Sequence, residues 1–179
     1  SFNIFESRYK ELISDILIGD KLFCTSLLQS CEDEEYLESL NFHKIGTLCY
    51  IVEHKELKNG NYNIIVSGLN KVRIKEEVNS DKKYRLVNLD VLNENNFVDR
   101  EQEKRRKLIN KFTSSFSSDS NAVNLNLIDT SMISTEMLTN LGSLILPLDN
   151  KDKQKLLELD DTELRLEVLC QFMDSELKV

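Results

Sequence analysis

Tryptophan is absent from this 179-residue chain, proline occurs once, histidine twice and glycine five times. Each scarcity excludes a chemistry. The glycines Gly19, Gly46, Gly60, Gly68 and Gly142 stand alone. A phosphate-cradling loop needs clustered glycines whose backbone N–H groups converge, followed by Lys-Ser/Thr, so nucleotide hydrolysis by that route is excluded. His43 and His54 lie in no nucleophile–base signature and read as surface residues, so a hydrolytic triad has no support. The cysteines Cys24, Cys31, Cys49 and Cys170 form no Cys-x-x-Cys pair. Together with His43 and His54 their intervals are too irregular for structural zinc, and Cys49 sits in an apolar run as a small hydrophobe. Neither a metal nor a cofactor is expected. No apolar run approaches the roughly 20 residues that cross a bilayer. The opening Ser1–Glu6 lacks a basic region followed by an apolar one, so the expectation is a cytoplasmic protein with reduced thiols.

Hydrophobic residues make up 40% of the chain and charged residues 30%, a globular balance. Lys and Arg number 23 against 31 Asp and Glu, giving a net charge of −8. That field opposes broad affinity for a phosphate backbone. Apolar residues Phe5, Tyr9, Leu12, Ile13, Ile16 and Leu17 recur on a helical period, which predicts a helix over 5–18 ending at a left-handed Gly19. Leu22–Leu28 reads as a short buried strand, and Glu32–Glu35 as a solvated loop. From Lys44 to Leu92 the pattern turns to strands: Gly46–Val52 continuing to Leu57, Tyr62–Val66, Val72–Lys75 and Tyr84–Leu92. Asn59-Gly60 marks a hairpin, and Gly68 separates two strands.

After Asn95 the character becomes helical. Asp99–Phe116 carries Leu108, Ile109, Phe112 and Phe116 at helical spacing, and Thr113–Asn126 reads as a loop. Met137, Leu138, Leu141, Leu144 and Ile145 form a second helix that stops near Pro147. Asp149 or Asn150 caps a third, through Leu157. Asp160 with Glu163 resembles a capping box opening the last, whose inward stripe is Leu164, Val168, Leu169, Phe172, Met173 and Leu177. The chain is therefore expected to be α+β: a β-rich curved sheet or barrel over 1–96 with one early helix, then a helical bundle over 97–179.

Two basic clusters, Lys71-Val72-Arg73-Ile74-Lys75 and Lys104-Arg105-Arg106-Lys107, contain no aromatic residue for base stacking and read as solvated faces. Glu103 and Lys107 form an i, i+4 pair. The apolar residues Val123, Leu125, Leu127, Ile128, Met132 and Ile133 lie in a polar surround. Either they tuck onto the bundle core, or they offer an exposed strip to an unfolded or extended chain.

Several segments, in order along nearly the whole chain, resemble the N-terminal domain of the Lon protease family, also found as a free-standing Lon substrate-binding domain protein. They are Asn3–Tyr9, Ile45–Val52, Asn59–Gly68 and Leu146-Pro147-Leu148. The resemblance implies a PUA-like curved β-barrel followed by a helical subdomain. It also implies a non-catalytic role in recognising unfolded or partly folded protein substrates, with a protease or ATPase as partner. The family shows proline where Ser7 stands, and its pattern begins with another strand before Asn3, so the chain is expected to be truncated there. Phe5, Tyr9, Gly46, Gly68 and Pro147 match the pattern as core anchors, turns and a helix stop. Two other readings stay open: the N-terminal piece of a full-length Lon protease whose activity lies downstream, or a PUA-like RNA-binding module using Lys71, Arg73 and Lys75. Nucleic acid and membrane are not the expected partners, and no catalytic residue is assigned.

Overall fold

The computed structural model describes residues 1–29, 41–93, 102–116 and 133–176. The chain divides into two compact units, Ser1–Asn93 and Glu94–Val179.

The first unit is a curled antiparallel sheet carrying one helix. Its elements are β1 (Phe2–Ile4), α1 (Ser7–Ile18), β2 (Leu22–Thr25), β3 (Ile45–Glu56), β4 (Tyr62–Val78) and β5 (Leu86–Val91). The order across the sheet is β1-β4-β3-β2, with β5 also pairing β4. Alternation decides which face is covered. Ile64 on β4 and Ile51 on β3 are fully buried with Ile13 of α1, and Ile4, Ile16, Leu17, Phe23, Tyr62 and Val66 pack around them. The helix thus lays Ile13, Ile16 and Leu17 of its predicted stripe on the sheet, whereas Phe5 precedes the helix and, like Tyr9, is exposed, so neither is the core anchor expected from the sequence.

Two glycines act differently from the sequence expectation. Gly68 does not separate strands: β4 runs on through it, and the register between β3 and β4 shifts beside it, Leu48 opposing Asn70 and Cys49 opposing Gly68. A glycine inside a strand is a common site for such a bulge. Gly19 has φ −107, so it is not the left-handed residue after α1. That role falls to Lys21, at φ 59. Its N–H donates to Ile16 O at 3.0 Å, and its carbonyl accepts from Ile51 N at 3.0 Å, carrying the chain from α1 onto the sheet. The predicted hairpin at Asn59-Gly60 is present, but only Gly60, at φ 73, is left-handed, so the turn is not the type I′ expected of an Asn-Gly pair, which needs positive φ at both residues.

The second unit contains α2 (Gln102–Phe116), α3 (Thr135–Ile145), α4 (Asn150–Glu158) and α5 (Thr162–Glu176). Its core is Leu108, Leu138, Leu146, Leu156, Leu166, Leu169, Cys170 and Met173. Ser134 caps α3 by accepting from Met137 N at 3.1 Å, and Asp149 caps α4 by accepting from Asp152 N at 2.7 Å. The cap of α5 is Asp161 rather than the expected Asp160: its Oδ1 accepts from Glu163 N at 2.7 Å. One member of the expected α5 stripe also differs. Leu164 is exposed, and Leu177 lies outside the described residues. The buried line runs instead through Thr162, Arg165, Leu166, Leu169, Cys170 and Met173.

Arg165 reaches that line because its guanidinium is spent on fixed acceptors. Nε donates to Leu156 O at 3.1 Å, Nη2 to Leu159 O at 2.9 Å and Nη1 to Asn140 Oδ1 at 3.0 Å. It thereby closes the end of α4, where helix carbonyls lack partners. The second basic cluster is likewise not simply a solvated face. Arg105 is buried and donates to Thr135 Oγ1 at 3.0 Å and Ile133 O at 2.7 Å. Lys104 pairs with Glu167 at 3.5 Å, and Lys107 with Asp174 at 2.5 Å. These cations bind α2 to α3 and α5.

Candidate functional site

A cleft of about 530 Å³ opens within the first unit. Leu12 of α1, Leu28, Phe42, Ile74, Val78 and Leu86 give it an apolar lining. One side is built where the chain after β2 meets the chain before β3: Leu28 bridges Phe42, Gln29 N donates to Asn41 O at 2.8 Å, and Ser26 Oγ donates to His43 O at 2.6 Å. The other sides are α1 and the hairpin joining β4 to β5.

Four of the charged side chains lining the cleft, Arg8, Glu77, Lys82 and Arg85, are already paired. Arg85 forks onto Glu77, Nε to Oε1 at 2.8 Å and Nη2 to Oε2 at 2.6 Å, and its guanidinium stands 4.5 Å from the Phe42 ring centre. Lys44 lies 5.1 Å from the same ring. Such cation–ring contacts hold the ring while leaving its edge available. Lys82 Nζ and Tyr84 Oη both donate to Asp15 Oδ2, at 2.6 and 2.8 Å, pinning the β4–β5 turn to α1. The Lys82 bond, then the Tyr84 bond, holds the Asp15 carboxyl below its usual range, and the Arg85 bond does the same for Glu77. Arg8 bonds Glu6 at 2.9 Å and stacks on Tyr9 at 4.7 Å.

A lining that mixes apolar side chains with polar ones such as Ser26, Asn79 and Ser80, most of its charges already paired, suits an extended, mostly uncharged ligand segment better than a free anion. Nor is the cysteine in the cleft's lining a ready nucleophile. Burial pushes the Cys24 thiol up to about 11, so it stays protonated. Among the described residues no group of three His, Cys, Asp or Glu could hold a metal ion, and no helix is long and apolar enough to cross a membrane.

Two further apolar surfaces are present. On the sheet, Leu22 and Tyr50 face each other across β2 and β3, with Val52 and Ile65 also exposed. In the second unit a groove of about 340 Å³ follows α3, where Met137 and Leu144 are 55% and 70% exposed. The sequence placed both with Leu138 in one helical stripe, but Thr135, Thr139 and Gly142 take the inward positions instead.

The residues singled out from the sequence fare as follows. Val123, Leu125, Leu127, Ile128 and Met132 lie outside the described residues. Ile133 packs against the helical core. The three cations on β4 do not form one solvated row: Lys71 is 7% exposed, Arg73 is exposed, and Lys75 pairs with Asp90 at 2.7 Å. The cleft itself was missed, because Asp15, Lys82 and Tyr84 meet only after the sheet curls and no local spacing announces them.

Comparisons with known proteins agree with this architecture. The N-terminal domain of a Mycobacterium avium complex Lon protease superposes with a TM-score of 0.68 at 16% identity, covering 97% of this chain and 89% of that one. A Lon N-terminal domain protein from Xanthomonas campestris gives 0.67 at 17%, covering 95% and 86%. By sequence, the Lon protease of Buchnera aphidicola is 26% identical over 180 residues, spanning 97% of this chain and 23% of that protein. The Lon protease of Brevibacillus choshinensis is 26% identical over 159 residues, 86% of this chain and 20% of that protein. The chain therefore spans about a quarter or less of these relatives. The family model for the ATP-dependent protease La (LON) substrate-binding domain matches residues 1–175, and the chain belongs to that family.

Proposed function

We propose that this domain captures polypeptide for an ATP-dependent protease by taking an extended, apolar segment into the cleft between α1 and the β4–β5 hairpin. The observation that carries the reading is the cleft's chemistry: Leu12, Leu28, Phe42, Ile74, Val78 and Leu86 interleaved with polar side chains, with the Arg85–Glu77 and Lys82–Asp15 pairs already closed. Side chains such as Leu, Val and Phe gain about 1.5–3 kcal/mol each on leaving water for such a lining. Bond cleavage is assigned to other parts of a Lon-type protease, whether on the same or a separate polypeptide, and the setting is the cytoplasm.

Leu28 and Leu86 line the cleft while remaining 43% and 38% exposed, so each can be changed without emptying a core. With a fluorescently labelled, permanently unfolded polypeptide as probe, Leu28→Lys and Leu86→Lys are each expected to weaken binding about tenfold. Met137→Lys, on α3, leaves it unchanged. Absence of binding by the intact domain, or loss only with the α3 variant, refutes the assignment of the cleft.

A further inference from the structure

The turn between β3 and β4 holds the only Asn-Gly pair in the sequence. Its geometry is fixed by three bonds. Leu57 N donates to Asn61 O at 2.8 Å, Gly60 N donates to Leu57 O at 2.9 Å, and Asn61 N donates to the Asn59 side-chain Oδ1 at 3.1 Å. Asn59 is exposed, and nothing lies within 4 Å of the place a Gly60 Cβ would occupy.

We infer that Asn59 is a site of spontaneous deamidation. The bond from Asn61 N draws electron density from the Asn59 carboxamide and folds its Cγ back over the peptide that follows, the arrangement of an Asx turn. The residue after it has no side chain to shield the backbone nitrogen. That nitrogen attacks Cγ. A new N–Cγ bond forms, the Cγ–Nδ2 bond breaks, and Nδ2 departs as ammonia carrying the proton that Gly60 N gives up. Water then opens the five-membered imide at one carbonyl or the other, leaving aspartate or isoaspartate. The balance is one ammonia lost and one water gained, with no oxidant or catalyst.

The same structure sets a brake. Gly60 N cannot attack while its hydrogen is held by Leu57 O, so reaction waits on opening of that turn bond. A single exposed turn lies at the low end of local opening costs, so folding slows the step by no more than about tenfold. The products change the turn in two ways. Both add a negative charge beside Lys58, and isoaspartate inserts one extra carbon into the backbone that sets the β3–β4 register.

The test is to age the purified chain in mildly alkaline buffer at about 37 °C and follow the tryptic peptide that begins after Lys58 and ends at Lys71 by mass spectrometry with fragment localisation. A gain of about 1 Da at the first asparagine is expected, with isoaspartate detected by an isoaspartyl methyltransferase. Asn61, Asn63 and Asn70 in the same peptide stay unchanged, Asn79-Ser80 reacts more slowly, and Asn59→Gln abolishes the gain. The isolated peptide reacts up to about tenfold faster than the folded chain. The inference is overturned if the folded chain gains no mass while the peptide does, or if the gain falls on another asparagine or survives in Asn59→Gln.

Discussion

Replacing Gly46 with alanine is the sharpest probe of how the sheet is held together. Gly46 is the second residue of β3, and a Cβ built on it would stand 2.4 Å from Thr25 O and 3.3 Å from Cys24 Sγ. The first contact is with backbone, which cannot rotate away. An ordinary carbon–oxygen contact is about 3.2 Å, so β2 and β3 would have to part by nearly 1 Å there, against a normal strand spacing of about 4.8 Å. Ladder bonds near 2.9 Å do not survive such a displacement. The pairs Thr25–Thr47 and Cys24–Leu48 are half of the four that join β2 to β3. Overpacking costs about 1–3 kcal/mol, and each ladder bond adds about 1, for a total near 3 kcal/mol. In urea, with a slope of about 2 kcal/mol/M, the unfolding midpoint should fall by about 1.5 M. Gly68→Ala is the internal standard. Its Cβ would meet only the Thr47 methyl, at 3.3 Å, and should cost under about 1 kcal/mol. If Gly46→Ala shifts the midpoint no further than Gly68→Ala, the argument from close strand approach is wrong.

Other expectations follow from the same structure. Ser7 opens α1, and Ser7→Pro places a fixed φ at the first helical position, where the missing N–H is not used; thermal melting should rise by the equivalent of about 0.5–1 kcal/mol. Arg165→Met keeps the bulk of the side chain but leaves Leu156 O, Leu159 O and Asn140 without their donor, and should cost about 3 kcal/mol in chemical unfolding. Asp15 and Glu77 both titrate lower in the folded chain than when unfolded. Their contribution is therefore complete above the unfolded carboxylate pKa and is lost as the pH falls through the folded value. Urea midpoints measured from about pH 6 down to pH 3 should decline, and should decline less in Asp15→Asn and Glu77→Gln.

Local signals carried much of the architecture. The apolar spacing of α1, the Asn59-Gly60 turn and the stop at Pro147 are all readable within a few residues. What escaped the sequence depends on partners far along the chain. Arg165 and Arg105 look solvated in one dimension, and only the convergence of carbonyls from neighbouring helices makes their burial tolerable. The same contacts explain why Leu164 is outside and Arg165 inside, an inversion that hydropathy alone cannot express. Gly68 reads as a break because glycine weakens a strand, yet β4 absorbs it with a bulge. The cleft was illegible for the related reason that Asp15 meets its partners Lys82 and Tyr84 from 67 and 69 residues away.

The tie between α2 and its neighbours has a bearing on how this polypeptide would respond to a protease. Leu108 is wholly enclosed in the helical core, while Arg105, Lys104 and Lys107 reach α3 and α5. A cut at any peptide bond between Phe116 and Ile133 would sever the covalent link between α2 and α3 without removing one of those contacts. Two fragments would then appear on a denaturing gel yet travel as one species through gel filtration.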